Sequence, residues 1–436
     1  FIKFVFLIII FEVSGFIAIR YLRKKKILSD YTRSGSIICG FLLFLFFYTL
    51  LKVDTISLNF GIFGIICIYA FLIRSEQAAD CNSNLSINNL LIPKLLFSFI
   101  CFELAALYFI KGGSFSYITP NQDYGYWKAI ASFIQQYGIE NAFHYFSNIN
   151  PELSGVRVYH YIELWLTALL SDLSGSDITI SYFLYLKPLL FYFITQIAWD
   201  IVKHFRYSSR SIMTIIFPIG VLLYGNIAIT PDGFVNENAI HFGEKLLSVK
   251  IMGLLFTYFI IKDKIIESIV VILLLPFIYP TLIFFSFFYL ISIFIIYRKN
   301  KEVVRLIILS GIFSVLFLII YTNQIVGGKV FTMTNLFSLI DFHYQNPSSI
   351  VIRFLKNIYI SAINSILITL AIFSLNTDRK QKIKLYLIVL FISMILTNVM
   401  SSFLFPLEIN YNQFFTCSLI FISPITFSLI FIATLD

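Results

Sequence analysis

Residues 265 to 301 read IIESIVVILLLPFIYPTLIFFSFFYLISIFIIYRKNK. Between Glu267 and Arg298 no residue is charged, and most are Ile, Leu, Val, Phe or Tyr. A helix that crosses a bilayer core needs about 20 mostly apolar residues. Pro276 and Pro280 interrupt this run, since a proline inside a helix removes an amide donor and crowds the preceding turn. The stretch therefore reads as two crossings, Ile265 to Tyr279 and Thr281 to Tyr297, joined by a tight external hairpin. Arg298, Lys299 and Lys301 close the second one.

The same pattern extends along the chain in both directions. Upstream spans are expected at Phe4 to Ile19, Ser36 to Leu51, Ile56 to Ile73, Leu95 to Ile110, Ser181 to Ile201, Ser211 to Ile229 and Leu246 to Ile261. Downstream they are expected at Leu306 to Tyr321, Ile358 to Asn376, Leu385 to Phe405 and Phe414 to Leu435. The total is about 13 crossings in a single all-α multi-span domain covering residues 1–436. Composition agrees: 59% of the 436 residues are hydrophobic and 13% charged, against about 45–50% and about 25% in soluble domains. A soluble enzyme is excluded, and 50 Phe with 26 Tyr exclude a solvated disordered chain. The chain opens on Phe1 rather than Met, which reads as the start of a fragment and leaves no cleavable signal to argue.

A net charge of +9 does not call for nucleic acid, because the cations are one-sided. Arg20, Arg23, Lys24, Lys25 and Lys26 form one cluster; Lys203, Arg206 and Arg210 a second. Arg298, Lys299, Lys301 and Arg305 form a third, and Arg379, Lys380, Lys382 and Lys384 a fourth. With these spans all four face the same side, which the positive-inside rule makes cytoplasmic, the C-terminus with them. Cys39, Cys67, Cys81, Cys101 and Cys417 are scattered and outline neither a disulfide framework nor a metal site.

The long polar stretches then lie outside: Lys111 to Gly175, Thr230 to Lys245 and Thr322 to Lys356. They hold His144, His160, His241 and His343, and carboxylates including Asp123, Glu163, Asp172, Asp177, Glu244 and Asp341. Titratable groups gathered on one face mark where a site would sit, although loops are also polar simply because water is there.

The first of these loops is the most informative. Pro120-Asn121-Gln122-Asp123-Tyr124 is turn chemistry leading into a helix whose Trp127, Ile130, Ile134 and Tyr137 share one face and which ends at Gly138. That pattern fits an interfacial amphipathic helix. Asp123 near its start could act as a base or hold a divalent cation, or only cap the helix. The apolar run Tyr159 to Leu170 is half a span, so it reads as a re-entrant or interfacial helix. Within it His160 and Glu163 are three apart and share a face, as do His241 and Glu244 later. Arg157 could pair with a phosphate or rest on lipid head groups. Glu103 falls mid-span, where an ionisable group needs a partner; Lys187 and Lys250 lie nearer external ends, where snorkelling explains them. Pro218 is expected to kink its span.

An acidic residue early in an external loop, the amphipathic helix behind it and Tyr159-His160-Tyr161-Ile162-Glu163-Leu164-Trp165 together resemble the GT-C type integral-membrane glycosyltransferases. Here three spans precede the one that leads into the loop, whereas that family places it after the first. The resemblance implies a bacterial inner-membrane enzyme that takes a sugar from a polyprenyl-phosphate donor and transfers it to an acceptor on the external face. It gives Asp123 the role of base or metal-proximal carboxylate, with His160 and Glu163 beside it as catalytic candidates. Arg157, Tyr124, His241, Glu244 and Lys245 are the candidates for substrate binding. The implied partners are the lipid-linked sugar and membrane lipids, and the implied cofactor is at most a divalent cation. A surface-polysaccharide polymerase or ligase would carry several external Arg, where only Arg157 and Arg353 are expected. A flippase or transporter would line mid-span positions with polar residues.

Overall fold

The computed structural model describes residues 123–138, 161–204, 244–279, 282–309, 378–404 and 412–435, with shorter pieces such as 6–12, 140–141 and 368–371 and single positions. The spans expected at 56–73 and 95–110, and most of those at 36–51, 211–229, 306–321 and 358–376, lie outside the described residues, as do Glu103 and Pro218. Every regular element among the described residues is helical. The chain divides into two compact units, Phe1–Arg210 with Ile312–Ile325, and Ser211–Gly311 with Val326–Asp436.

In the first unit α1 spans Asp123–Tyr137 and α2 Tyr161–Ser174. Trp127, Ile130, Ala131 and Ile134 are buried, at the three- and four-residue spacing that puts them on one helix face, and α1 packs on α2. Tyr137, expected on that face, instead points outward and is 55% exposed. It occupies the last position of the helix, beyond the cover that α2 supplies. Gly138 at φ +69 turns the chain out of α1, its amide donating to the Ile134 carbonyl at 2.8 Å, a left-handed exit that glycine makes without cost. The half-span apolar run is thus a short helix of its own, α2. Asp177 accepts from the Thr179 amide at 2.7 Å and caps α3, Ile178–Ile180. A π-helical turn, Ser181–Leu186, leads into α4, Lys187–His204. The wide turn precedes Pro188, whose ring in a regular α-helix would collide with the carbonyl of Leu184.

In the second unit the helices are α5 Glu244–Ile261, α6 Ile265–Ile278, α7 Ile283–Ile296, α8 Asp378–Leu404 and α9 Asn412–Leu435. Each packs on the next, and α9 returns onto α5, closing a ring of five. Phe256, Phe285, Tyr289 and Phe421 meet edge-to-face at centroid distances of 5.5–5.7 Å, the geometry aromatic quadrupoles favour. Gly253 has to be glycine-sized: a Cβ there would overlap the Phe421 carbonyl and the Pro424 ring, so α5 and α9 pack backbone to backbone. Lys250, expected to snorkel outward, is instead 0% exposed. α5 is apolar all round and covered by α6 and α9, so its lysine has no outward face to use.

Within the ring a few hydroxyls are buried among apolar side chains, and large apolar side chains also face outward. Buried hydroxyls bond carbonyls of their own helix: Thr257 to Gly253 at 2.9 Å, Ser393 to Val389 at 2.7 Å, Thr426 to Ile422 at 3.1 Å. Outside, α7 exposes Phe287 at 56% and Ile295 at 62%, and α8 exposes Ile392, Leu396 and Val399 in one stripe. Leaving such side chains in water forgoes about 1.5–3 kcal/mol each. Two helices, Ile178–Val202 and Ile383–Met400, have the length and composition of membrane spans; those over Leu247–Ile261, Ile265–Pro276, Ile283–Ile296 and Ile420–Phe431 are apolar but shorter.

The ring also sorts its ends. Gly253 and Phe256 of α5 meet Phe421 of α9, and further along Thr257 and Ile260 line one small apolar cavity with Ile425 and Leu429, so α5 and α9 run the same way; Ile383 and Leu387 of α8 line that cavity too. Tyr297, just past α7, meets Tyr386 of α8, hydroxyl to hydroxyl at 2.8 Å with rings stacked. One end of the unit therefore collects Lys262, Lys264, Arg298, Lys299, Lys301 and Lys384.

Candidate functional site

Asp123 is the first residue of α1 and Tyr124 the second; Glu244 and Lys245 open α5. Their side chains, and all of Arg157, His160 and His241, lie outside the described residues. Asp123 thus stands at a helix start as its turn sequence requires, where a carboxylate complements the helix dipole.

Glu163 is the site residue whose side chain is described. It lies in the first turn of α2 and is 2% exposed. Burying a carboxylate is expensive, so one retained there has a specific use, structural or chemical. Two residues on, Trp165 donates its indole N–H to Glu140 Oε2 at 3.1 Å. Glu140 and its neighbour Asn141 are both buried, so the stretch following α1 folds back against the start of α2. Sequence reading passed over Glu140 and Asn141. A carboxylate three residues after a helix's last residue looks like a solvated loop, and its indole donor is 25 residues away.

At the opposite end of α2 a second polar cluster forms on Asp172. Tyr48 donates to its Oδ2 at 2.8 Å and Gln135 to its Oδ1 at 2.7 Å, while Gln135 also reaches Ser171 at 3.1 Å. Lys3 donates to the Ser174 carbonyl at 2.7 Å. With both oxygens engaged, Asp172 ties the N-terminal segment, α1 and α2 together, which suits a structural anchor better than a reacting group. Nearby, hydrogen bonding from Thr179 holds the Asp177 carboxyl below the usual carboxylate range, outweighing partial burial, with the Lys128 charge adding to it.

Chemically, the start of α2 offers a buried carboxylate at a helix N-terminus, able to take a proton from a hydroxyl or hold a cation. No group of three or more His, Cys, Asp or Glu with metal-holding geometry occurs among the described residues. Comparison with protein-family models, curated proteins and solved structures yields no match.

Proposed function

We propose that this chain is a polytopic membrane glycosyltransferase that moves a sugar from a polyprenyl-phosphate donor to an acceptor hydroxyl on the external face. The observation that carries the reading is Glu163, a carboxylate buried in the first turn of the short apolar helix α2, just ahead of the long apolar helix Ile178–Val202. A donor delivered from lipid must react at the depth where short helices lead into spans. The outward apolar faces of α7 and α8 support a bilayer setting with about 13 crossings. The cations gathered at one end of the second unit support a cytoplasmic placement of that end, with the C-terminus, in a bacterial inner membrane.

In this reading a carboxylate, Asp123 or Glu163, takes the proton of the acceptor hydroxyl as its oxygen bonds to the anomeric carbon of the donor sugar. The bond from that carbon to the phosphate oxygen breaks, and the carrier phosphate leaves with the electron pair. His160 orients the base, Arg157 offsets the charge on the phosphate, and Tyr124 contacts the sugar. A divalent cation would serve the same phosphate.

The test is sugar transfer by membranes carrying Asp123→Asn or Glu163→Gln, with a polyprenyl-phosphate sugar as donor. A positioned base contributes about 10²–10⁴-fold, so a catalytic residue loses that much at normal expression. Asn caps helices about as well as Asp, so undiminished transfer in both variants rejects the assignment. Donor movement across vesicles without transfer would favour the flippase reading. The buried hydroxyls cited above bond their own helices rather than line a path, which weighs against it.

A further inference from the structure

The turn that joins α7 to the helical segment 301–309 combines charge and apolar surface in a way the proposed chemistry does not use. Arg298, Lys299, Lys301 and Arg305 are all exposed, and none makes an ion pair among the described residues. The cations of the neighbouring turn are occupied: Lys264 pairs with Glu267 at 3.8 Å and Lys262 lies 4.8 Å from the Tyr258 ring centroid. Glu302 is the one carboxylate in residues 298–305, so the turn stays strongly positive.

The platform under these cations is tied together by hydrogen bonds. The Asn300 amide donates to the Tyr297 carbonyl at 2.8 Å, and Asn300 Oδ1 accepts from the Glu302 and Val303 amides at 3.1 and 3.3 Å. The Tyr297 hydroxyl is tied to Tyr386 at 2.8 Å, and Val303 and Leu306 are buried. On each side of the turn the exposed surface becomes apolar: Phe294 and Ile295 before it, Ile308 and Leu309 after it. Cations above and apolar side chains below are complementary to a phospholipid with an anionic head and acyl tails.

We propose that the 298–305 turn is a binding surface for anionic phospholipid head groups, with Phe294, Ile295, Ile308 and Leu309 against the acyl chains. This rests on the membrane reading but not on the enzyme one. The shared chemistry of head group and free phosphate is the phosphate anion; the flanking apolar side chains favour the lipid, since a free anion has no use for them.

The experiment places the full chain in nanodiscs of phosphatidylcholine with a minor share of phosphatidylglycerol and counts retained lipids by native mass spectrometry. Wild type should enrich phosphatidylglycerol. R298Q/K299Q/K301Q/R305Q should lower that enrichment at least about tenfold, because each cation near an anionic surface adds to its attraction. The half variants R298Q/K299Q and K301Q/R305Q should each give part of the loss, and they decide the matter if the full variant fails to fold. K262Q/K264Q should leave the enrichment unchanged. Equal enrichment in wild type and variants overturns the proposal, as does no preference in wild type. Displacement of the lipid by inorganic phosphate at matched concentration would show a free-anion site and overturn it too. Recovery of the chain in the aqueous phase of a detergent partition would instead reject the membrane reading.

Discussion

Ser286 of α7 donates its hydroxyl proton to the main-chain carbonyl of Ile272 in α6 at 3.0 Å. That carbonyl is the one Pro276, four residues later in α6, leaves without an amide partner. In α9 the solution is internal: Ser423 donates to the Ile420 carbonyl at 3.1 Å, the group that Pro424 orphans. Where no water is at hand, a freed carbonyl costs several kcal/mol unless a side chain reaches it. Both prolines are therefore accommodated by a serine hydroxyl.

Ser286→Ala should lower unfolding stability by about 1–3 kcal/mol, the cost of a buried acceptor left unpaired. In a Pro276→Ala background the carbonyl regains a helical amide, and the same change should cost well under half as much. Denaturant titration of the four proteins in detergent closes the double-mutant cycle. Equal costs in both backgrounds would mean that Ser286 acts through packing alone.

Trp165→Phe keeps the aromatic bulk that meets Tyr48 edge-on at 6.4 Å but removes the donor to Glu140. A loss of about 1–3 kcal/mol is expected, relieved by a second change, Glu140→Gln, which leaves no buried charge behind. Thermal unfolding of the single and double variants checks the order.

Asp177 supplies the pH-dependent case. Its carboxyl is held below its ordinary range by hydrogen bonding from Thr179, so its contribution is complete above the unfolded carboxylate pKa of about 3.9. It is lost as pH falls through the lower folded value. Asp177 is exposed, so the effect is small. Stability of wild type minus Asp177→Asn, followed from neutral to acid pH, should shrink toward zero only at the acid end. A difference that grows on acidification contradicts the cap assignment.

Orientation can be read by labelling in intact cells. Asn236→Cys should react with a membrane-impermeant thiol reagent, and Asn300→Cys only after lysis, both in a background lacking the native cysteines. The reverse pattern would invert the second unit.

The all-helical character was legible in the sequence because apolar runs of this length have few other outcomes. The limits of α5, α6, α7 and α9 fall within about two residues of the expected spans, because charged and proline punctuation coincides with helix ends. α8 starts seven residues earlier, at Asp378, since the polar run Asp378 to Lys384 favours helix as readily as loop. The outward turn of Tyr137 and the burial of Lys250 and Glu140 were not legible. Each depends on which neighbour covers a face, and periodicity identifies a face without saying what lies against it.

The sequence by itself determined the alternation of apolar helices with charged turns, the clustering of cations between apolar runs and the placement of Asp123 at a helix start, all consequences of local composition and backbone chemistry. Only the tertiary structure decided that Ser286 meets the carbonyl Pro276 releases, that Trp165 reaches Glu140, that Gly253 admits α9, and that Tyr297 and Tyr386 pin a cationic turn. Those contacts join residues from 14 to 171 positions apart, and a hydrogen bond or close approach at that separation exists only once packing has brought two surfaces together.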